Sequence, residues 1–159
     1  LRIPSTNSFV VILCNSSPTD FFGITRNLIK ILYDKPVIIK QPVHKKMETY
    51  ISQTGAGKAV EKYKEMKTDT ANYYIDWISM NFIAEQLLNM KKYEDARIIA
   101  ENNIAEFSDK DLVLVTMGNI YLKLDRKTDA ITYYKKALAI SPGYEEARNR
   151  LKELEPKPE

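Results

Sequence analysis

The sequence predicts a mostly α-helical protein, in which antiparallel helix pairs stack into a short right-handed solenoid preceded by a strand and helix from an α/β sheet. Three observations predict it. Counting back from Pro142, small and aromatic residues recur where two closely crossing helices need them: Gly118 and Tyr121 on a first helix, Ala130, Tyr134 and Ala137 on a second. A weaker copy lies 34 residues earlier, with Ala84, Leu87 and Ala96 in place of Gly118, Tyr121 and Ala130. Finally, Phe9–Leu13 is a continuous apolar run of the kind that forms a strand buried on both faces.

That run, Phe9, Val10, Val11, Ile12 and Leu13, is bounded by Asn7-Ser8 and by Asn15-Ser16-Ser17-Pro18. Only Val37–Lys40 offers a second tolerable strand. The run is therefore expected to be an orphan with two open edges, which pairs with a second copy or folds back on the repeats. With no initiating Met, it also gives the expectation of a fragment from a longer protein. A helix is expected over Asp20–Tyr33, capped by Asp20 or Thr19 and carrying Phe21, Ile24, Leu28, Ile31 and Leu32 on one side. Residues 34–54 read as an extended basic connector punctuated by Pro36 and Pro42. A helix over 56–67 carries a narrow stripe of Val60, Tyr63 and Met66, and Thr68–Asn72 reads as a turn.

The array is expected to begin near Tyr73, with helices over 73–90, 93–106, 111–124 and 127–140. Gly118, Ala130 and Ala137 leave room for the crossing, Tyr121 and Tyr134 fill the space between pairs, and Pro142 ends the last helix. A charged helix over 144–154 serves as a solubilising cap. The division is then 1–34 for the strand and helix, 35–54 for the linker and 55–159 for the helical domain. Its repeats fall at 77–110 and 111–144.

Composition sets bounds. A single cysteine leaves no internal disulfide. No stretch of about 18 apolar residues occurs, so no membrane span is expected, and no signal-peptide pattern opens the sequence. The net charge of +3 hides a split. Residues 26–67 hold ten Lys or Arg against four Asp or Glu; residues 68–159 hold thirteen against sixteen. The basic stretch suits either an anionic surface or the chain's own acidic repeats, and the second reading is favoured. No basic stripe interleaved with aromatics supports a nucleic-acid partner.

Several residues resemble site chemistry without completing it. Gln53-Thr-Gly-Ala-Gly-Lys58 has its glycines two apart, Ala59 after the lysine and no preceding strand, so it is a helix start and not a phosphate loop. His44 stands alone between lysines and a valine, without partners for a metal, and reads as a solvated linker residue. Cys14 follows an apolar run with no base nearby and reads as a structural thiol. Trp77, Tyr73-Tyr74 and Tyr133-Tyr134 fall at helical spacing and read as packing. No catalytic, cofactor or metal residue is expected.

The repeat resembles the tetratricopeptide repeat, a scaffold that holds peptides or other domains and performs no chemistry itself. In that family the first helix of each pair lines a concave groove. The corresponding residues are Ile78, Asn81, Glu85 and Leu88 in the first pair and Leu112, Val115, Asn119 and Leu122 in the second. Relatives that grip a terminal carboxylate use lysines, arginine and asparagines there. Asn119 fits that set, but Val115 and Glu85 do not, so the resemblance implies a mixed apolar groove for a helix or linker.

A second resemblance spans the N-terminal part. Phe9-Val-Val-Ile-Leu-Cys-Asn15, followed by Ile24-Thr-Arg-Asn-Leu-Ile-Lys-Ile-Leu32, is similar to the last strand and closing helix of serine beta-lactamase-like hydrolases. That family includes penicillin-binding-protein relatives and esterases. Some members carry a TPR-like extension reached through a short basic linker and a helix like Gly55–Lys67. The family's nucleophile lies in Ser-x-x-Lys, which does not occur in these residues. Neither Lys-Thr-Gly nor His-x-Gly occurs either, and Tyr50-Ile51-Ser52 follows the closing helix. The resemblance thus implies a bacterial, exported parent hydrolase, periplasmic or on the cell surface, and a non-catalytic C-terminal TPR region that mediates contacts. Partners on this reading are the parent's own catalytic domain, another copy or a peptide. The alternatives are a freestanding TPR adaptor, or a lid over the parent's substrate cleft.

Overall fold

A computed structural model describes residues 2–3, 8–9, 21–33, 35, 37 and 40–155. Strand β1 (Arg2–Ile3) pairs antiparallel with β2 (Ser8–Phe9). Of the expected strand, Phe9 is thus paired, while Val10, Val11, Ile12 and Leu13 lie outside the described residues, as do Cys14 and the expected caps Thr19 and Asp20. Helix α1 (Phe21–Leu32) follows, with Leu28, Ile31 and Leu32 exposed. Residues 40–155 form a mostly helical array: β3 (Gln41–Pro42), α2 (Val43–Thr54), α3 (Ala56–Thr68), β4 (Tyr73–Tyr74), α4 (Trp77–Asn89), α5 (Tyr93–Glu106), α6 (Asp111–Lys123), α7 (Lys127–Ile140) and α8 (Glu145–Leu154).

The 34-residue period is visible down to single hydrogen bonds. Helices α4 and α6 start at 77 and 111; α5 and α7 start at 93 and 127. The turn after α4 places Lys91 in the left-handed region at φ 61°, and the turn after α6 does the same with Asp125 at φ 57°. In the first turn the Lys92 amide donates to the Leu87 carbonyl; in the second the Arg126 amide donates to the Tyr121 carbonyl, both at 2.9 Å. Each is a helix stop that satisfies an otherwise orphaned carbonyl.

The connector is corrected. Residues 43–54 form helix α2, because Val43, Met47 and Ile51 recur every fourth residue and bury one face. Pro42 stands at its N-cap, where a missing amide costs nothing. Gly55 then turns the chain in one residue at φ 82°, a conformation that suits glycine. Helix α3 buries Ala59, Tyr63 and Met66, the spacing that α5 repeats with Ala96, Ala100 and Asn103 and α7 with Ala130, Tyr134 and Ala137. The pair α2–α3 is thus a third, degenerate hairpin. Its first helix keeps the 34-residue register, and its shortened turn brings the second helix forward.

The hairpins stack, α2 on α4 and α3 on α5, then α5 and α4 on α6, with α8 closing the end against α7 through Ala147 and Leu151. The array's start is also corrected: Tyr73–Tyr74 is a strand paired in parallel with Gln41–Pro42, and the helix begins at Trp77. That pairing, with the Gln41 amide donating to the Asn72 carbonyl at 2.7 Å, aligns the starts of α2 and α4. At the opposite end, Lys67 Nζ pairs with Glu106 Oε1 at 2.8 Å and ties α3 to α5. Asp76 caps α4 by accepting from the Ser79 amide at 2.6 Å.

Candidate protein-docking surface

The residues expected to line the groove fall on the first helices, α4 and α6, but they divide into two kinds. Asn81 and Val115 are 2% and 1% exposed, so they lie beneath the surface and not on it. The packing of α4 on α6 covers them, which corrects their assignment as contact residues. Glu85, Leu88, Leu112, Asn119 and Leu122 are half-buried, and Ile78 is open to solvent.

The polar members of the row bind the first helices to one another. The Asn81 side-chain amide donates to Glu85 Oε1 at 2.9 Å and to Thr116 Oγ1 at 3.0 Å; the Thr116 hydroxyl donates to the same Glu85 oxygen at 3.0 Å. Further along, the Tyr134 hydroxyl donates to Asn119 Oδ1 at 2.7 Å, and Asn119 Nδ2 donates to Glu146 Oε1 at 2.9 Å. These bonds hold α4, α6, α7 and α8 in register. They also fix two carboxylates, those of Glu85 and Glu146, on the surface over the seam.

A second surface escaped the sequence reading. Ile78 and Phe82 on α4, and Met90 just past its end, are 55%, 54% and 62% exposed although they are large and apolar. They border the groove between α2 and α4. One hollow of about 140 Å³ is walled by Ile51, Ile83, Leu87 and Met90. A wider one of about 430 Å³ lies toward the helix starts, among His44, Lys45, Ile78, Ser79 and Phe82. His44, expected in a solvated linker, is instead half-buried on α2. The Val43, Met47, Ile51 spacing would have revealed α2 and hence this groove; the flanking prolines and lysines masked it.

The tyrosines of the helix pairs behave as packing. Tyr63 and Tyr134 are buried, and Tyr121 stacks on Tyr133 with ring centres 5.4 Å apart. The Arg126 guanidinium lies 4.5 Å from the Tyr121 ring centre. Trp77 is half-buried and its carbonyl accepts from Asn103 Nδ2 at 3.0 Å. Among the described residues, no group of three or more His, Cys, Asp or Glu is placed to hold a metal ion, and no helix is long and apolar enough to cross a membrane.

Residues 112–144 match the tetratricopeptide repeat family model. No curated protein matches the chain. The repeat covers α6, α7 and the turn into α8, so one hairpin of the array is a tetratricopeptide repeat, and the array is a helical solenoid. This fold is a protein-interaction scaffold and is ordinarily non-catalytic.

Proposed function

We propose that this chain is a non-catalytic protein-docking region, in which the seam of first helices α4, α6 and α8 and the adjoining α2–α4 groove receive a partner polypeptide. The carrying observation is the stack itself: a tetratricopeptide repeat at 112–144 is extended by two further hairpins. Three hairpins supply the neighbours that a single pair lacks, and so a continuous surface. Photo-crosslinking tests it. A photoreactive residue at Ile78 or Leu112 should capture the same discrete partner, while one at Lys136, on a second helix, should capture none. Equal capture at all three positions, or none at any, would overturn the reading.

The parent assignment is a finer proposal. Similarity of Phe9–Asn15 and Ile24–Leu32 to the closing strand and helix of serine beta-lactamase-like hydrolases supports an exported bacterial parent, whose own catalytic domain is one partner for this surface. An upstream Ser-x-x-Lys helix followed by Lys-Thr-Gly or His-x-Gly in the gene would support it; their absence would leave a freestanding adaptor.

A further inference from the structure

Two apolar faces of this chain stand uncovered. One belongs to α1, where Leu28, Ile31 and Leu32 are 37%, 58% and 54% exposed. The other is the rim of the α2–α4 groove, formed by the exposed side chains of Ile78, Phe82 and Met90. Among the described residues, the other large hydrophobics so exposed are Tyr33, next to α1, and Ile140, at the end of α7. Exposed apolar surface gathered in this way marks a contact site.

The two faces match in form. Leu28, Ile31 and Leu32 stand at i, i+3 and i+4, the anchor spacing by which an amphipathic helix lies in a groove. Helix α1 has 12 residues and is about 18 Å long. The stretch of helix from Ile78 to Met90 has about the same length, roughly 18 Å. The hollow of about 140 Å³ beside Met90 offers a seat for an anchor. An apolar cavity of about 150 Å³ takes a benzene ring, so this one has room for a branched aliphatic side chain.

The exposed area fits a dimer. At about 200 Å² for a whole residue of this size, the exposed fractions of the six residues come to about 650 Å² per chain. Two copies that exchange α1 would cover about 1,300 Å², within the range of a specific, stable interface. Every copy supplies one helix and one groove, so the exchange closes as a two-fold dimer with neither face left over. Residues 33–40 tether α1 to β3, at the end of the groove where α2 and α4 start, and eight extended residues reach about 26 Å. Within a single chain both faces are open to solvent, which leaves the helix to another copy.

We infer that α1 of one copy docks in the α2–α4 groove of a second copy, which returns its own α1 in exchange. This rests on the docking role proposed above for that groove and names its occupant.

The test is sedimentation velocity of the full chain across a dilution series, with Ile31→Glu and Phe82→Glu variants beside it. Both substitutions fall on exposed side chains, and an unchanged far-UV circular dichroism spectrum verifies the helices. The unaltered chain should be a dimer that dissociates on dilution. Each variant should weaken it about tenfold or more, because a carboxylate then enters an apolar contact. An equimolar mixture of the two variants should associate more tightly than either alone, since the mixed dimer keeps one exchange in which helix and groove are both unaltered. A monomer at every concentration, a dimer that either variant leaves intact, or a mixture no tighter than its components would overturn the exchange. Capture of a different protein by the photoreactive residue at Ile78 would then leave the docking role standing; no capture there would sink both.

Discussion

Gly118 on α6 lies against Tyr134 on α7 so closely that a β-carbon at Gly118 would sit 2.5 Å from Cε1 of the ring. The ring has nowhere to go. It is fully buried, and its hydroxyl is anchored on Asn119. A Gly118→Ala change gains about 1 kcal/mol of helix propensity, but overpacking of this kind costs about 1–3 kcal/mol or more. The overlap is with a ring held at both ends, so the packing cost wins. Urea unfolding should show a lower midpoint at unchanged slope, and shortening the ring with Tyr134→Leu should make the second Gly118→Ala step less damaging.

Lys91 predicts a change of opposite sign. It holds a left-handed conformation with a side chain that disfavours it, at the stop after α4. Lys91→Gly should stabilise the chain by about 0.5–1 kcal/mol, the strain relieved exceeding the extra freedom given to the unfolded chain. A drop in stability would mean that the lysine makes contacts that outweigh its backbone strain.

Alkaline pH should unfold the array. Burial pushes the Tyr134 hydroxyl up to about 12 from an ordinary value of 10.0, and burial also raises that of Tyr63. The folded state therefore holds the phenol proton where the unfolded state releases it. This contribution is complete below pH 10 and is lost as pH rises toward 12. Urea midpoints measured across that interval should fall, and less steeply in Tyr134→Phe. A flat profile would show that the ring reaches water.

Met47 tests the degenerate hairpin. It is fully buried on α2, and Met47→Ala should cost about 2–5 kcal/mol if α2 is part of the cooperative core. Hydrogen exchange should then quicken through α2 and α3. If the change costs under about 0.5 kcal/mol, residues 43–54 are an attached arm and not a structural repeat.

Legibility followed the strength of the local signal. Gly118, Tyr121, Ala130, Tyr134 and Ala137 each answer a steric demand of one crossing, so α6 and α7 could be placed from sequence with little ambiguity. The bounds of α5 and α7 were anticipated at 93–106 and 127–140. Helix α2 was missed because Pro42 reads as a breaker until the helix is seen to start behind it, and because its lysines hide three buried residues. Tyr73–Tyr74 carries no local sign of a strand, because two residues have no periodicity and their partner at Gln41–Pro42 is distant in sequence. The groove row was readable as a helix face. Position alone did not reveal that Asn81 and Val115 would be covered by the neighbouring helix, since burial depends on how pairs stack.

The parallel contact between Gln41–Pro42 and Tyr73–Tyr74 also bears on kinetics. It closes a loop of about 30 residues for very few hydrogen bonds, whereas each hairpin gathers its contacts across a few tens of residues of adjoining helix. Such a fastening forms after the helices it aligns and opens before they do. Opening there would free the starts of α2 and α4 from one another while α6 and α7 remain folded, so the fastening bears on the rim of the α2–α4 groove and not on the far hairpin.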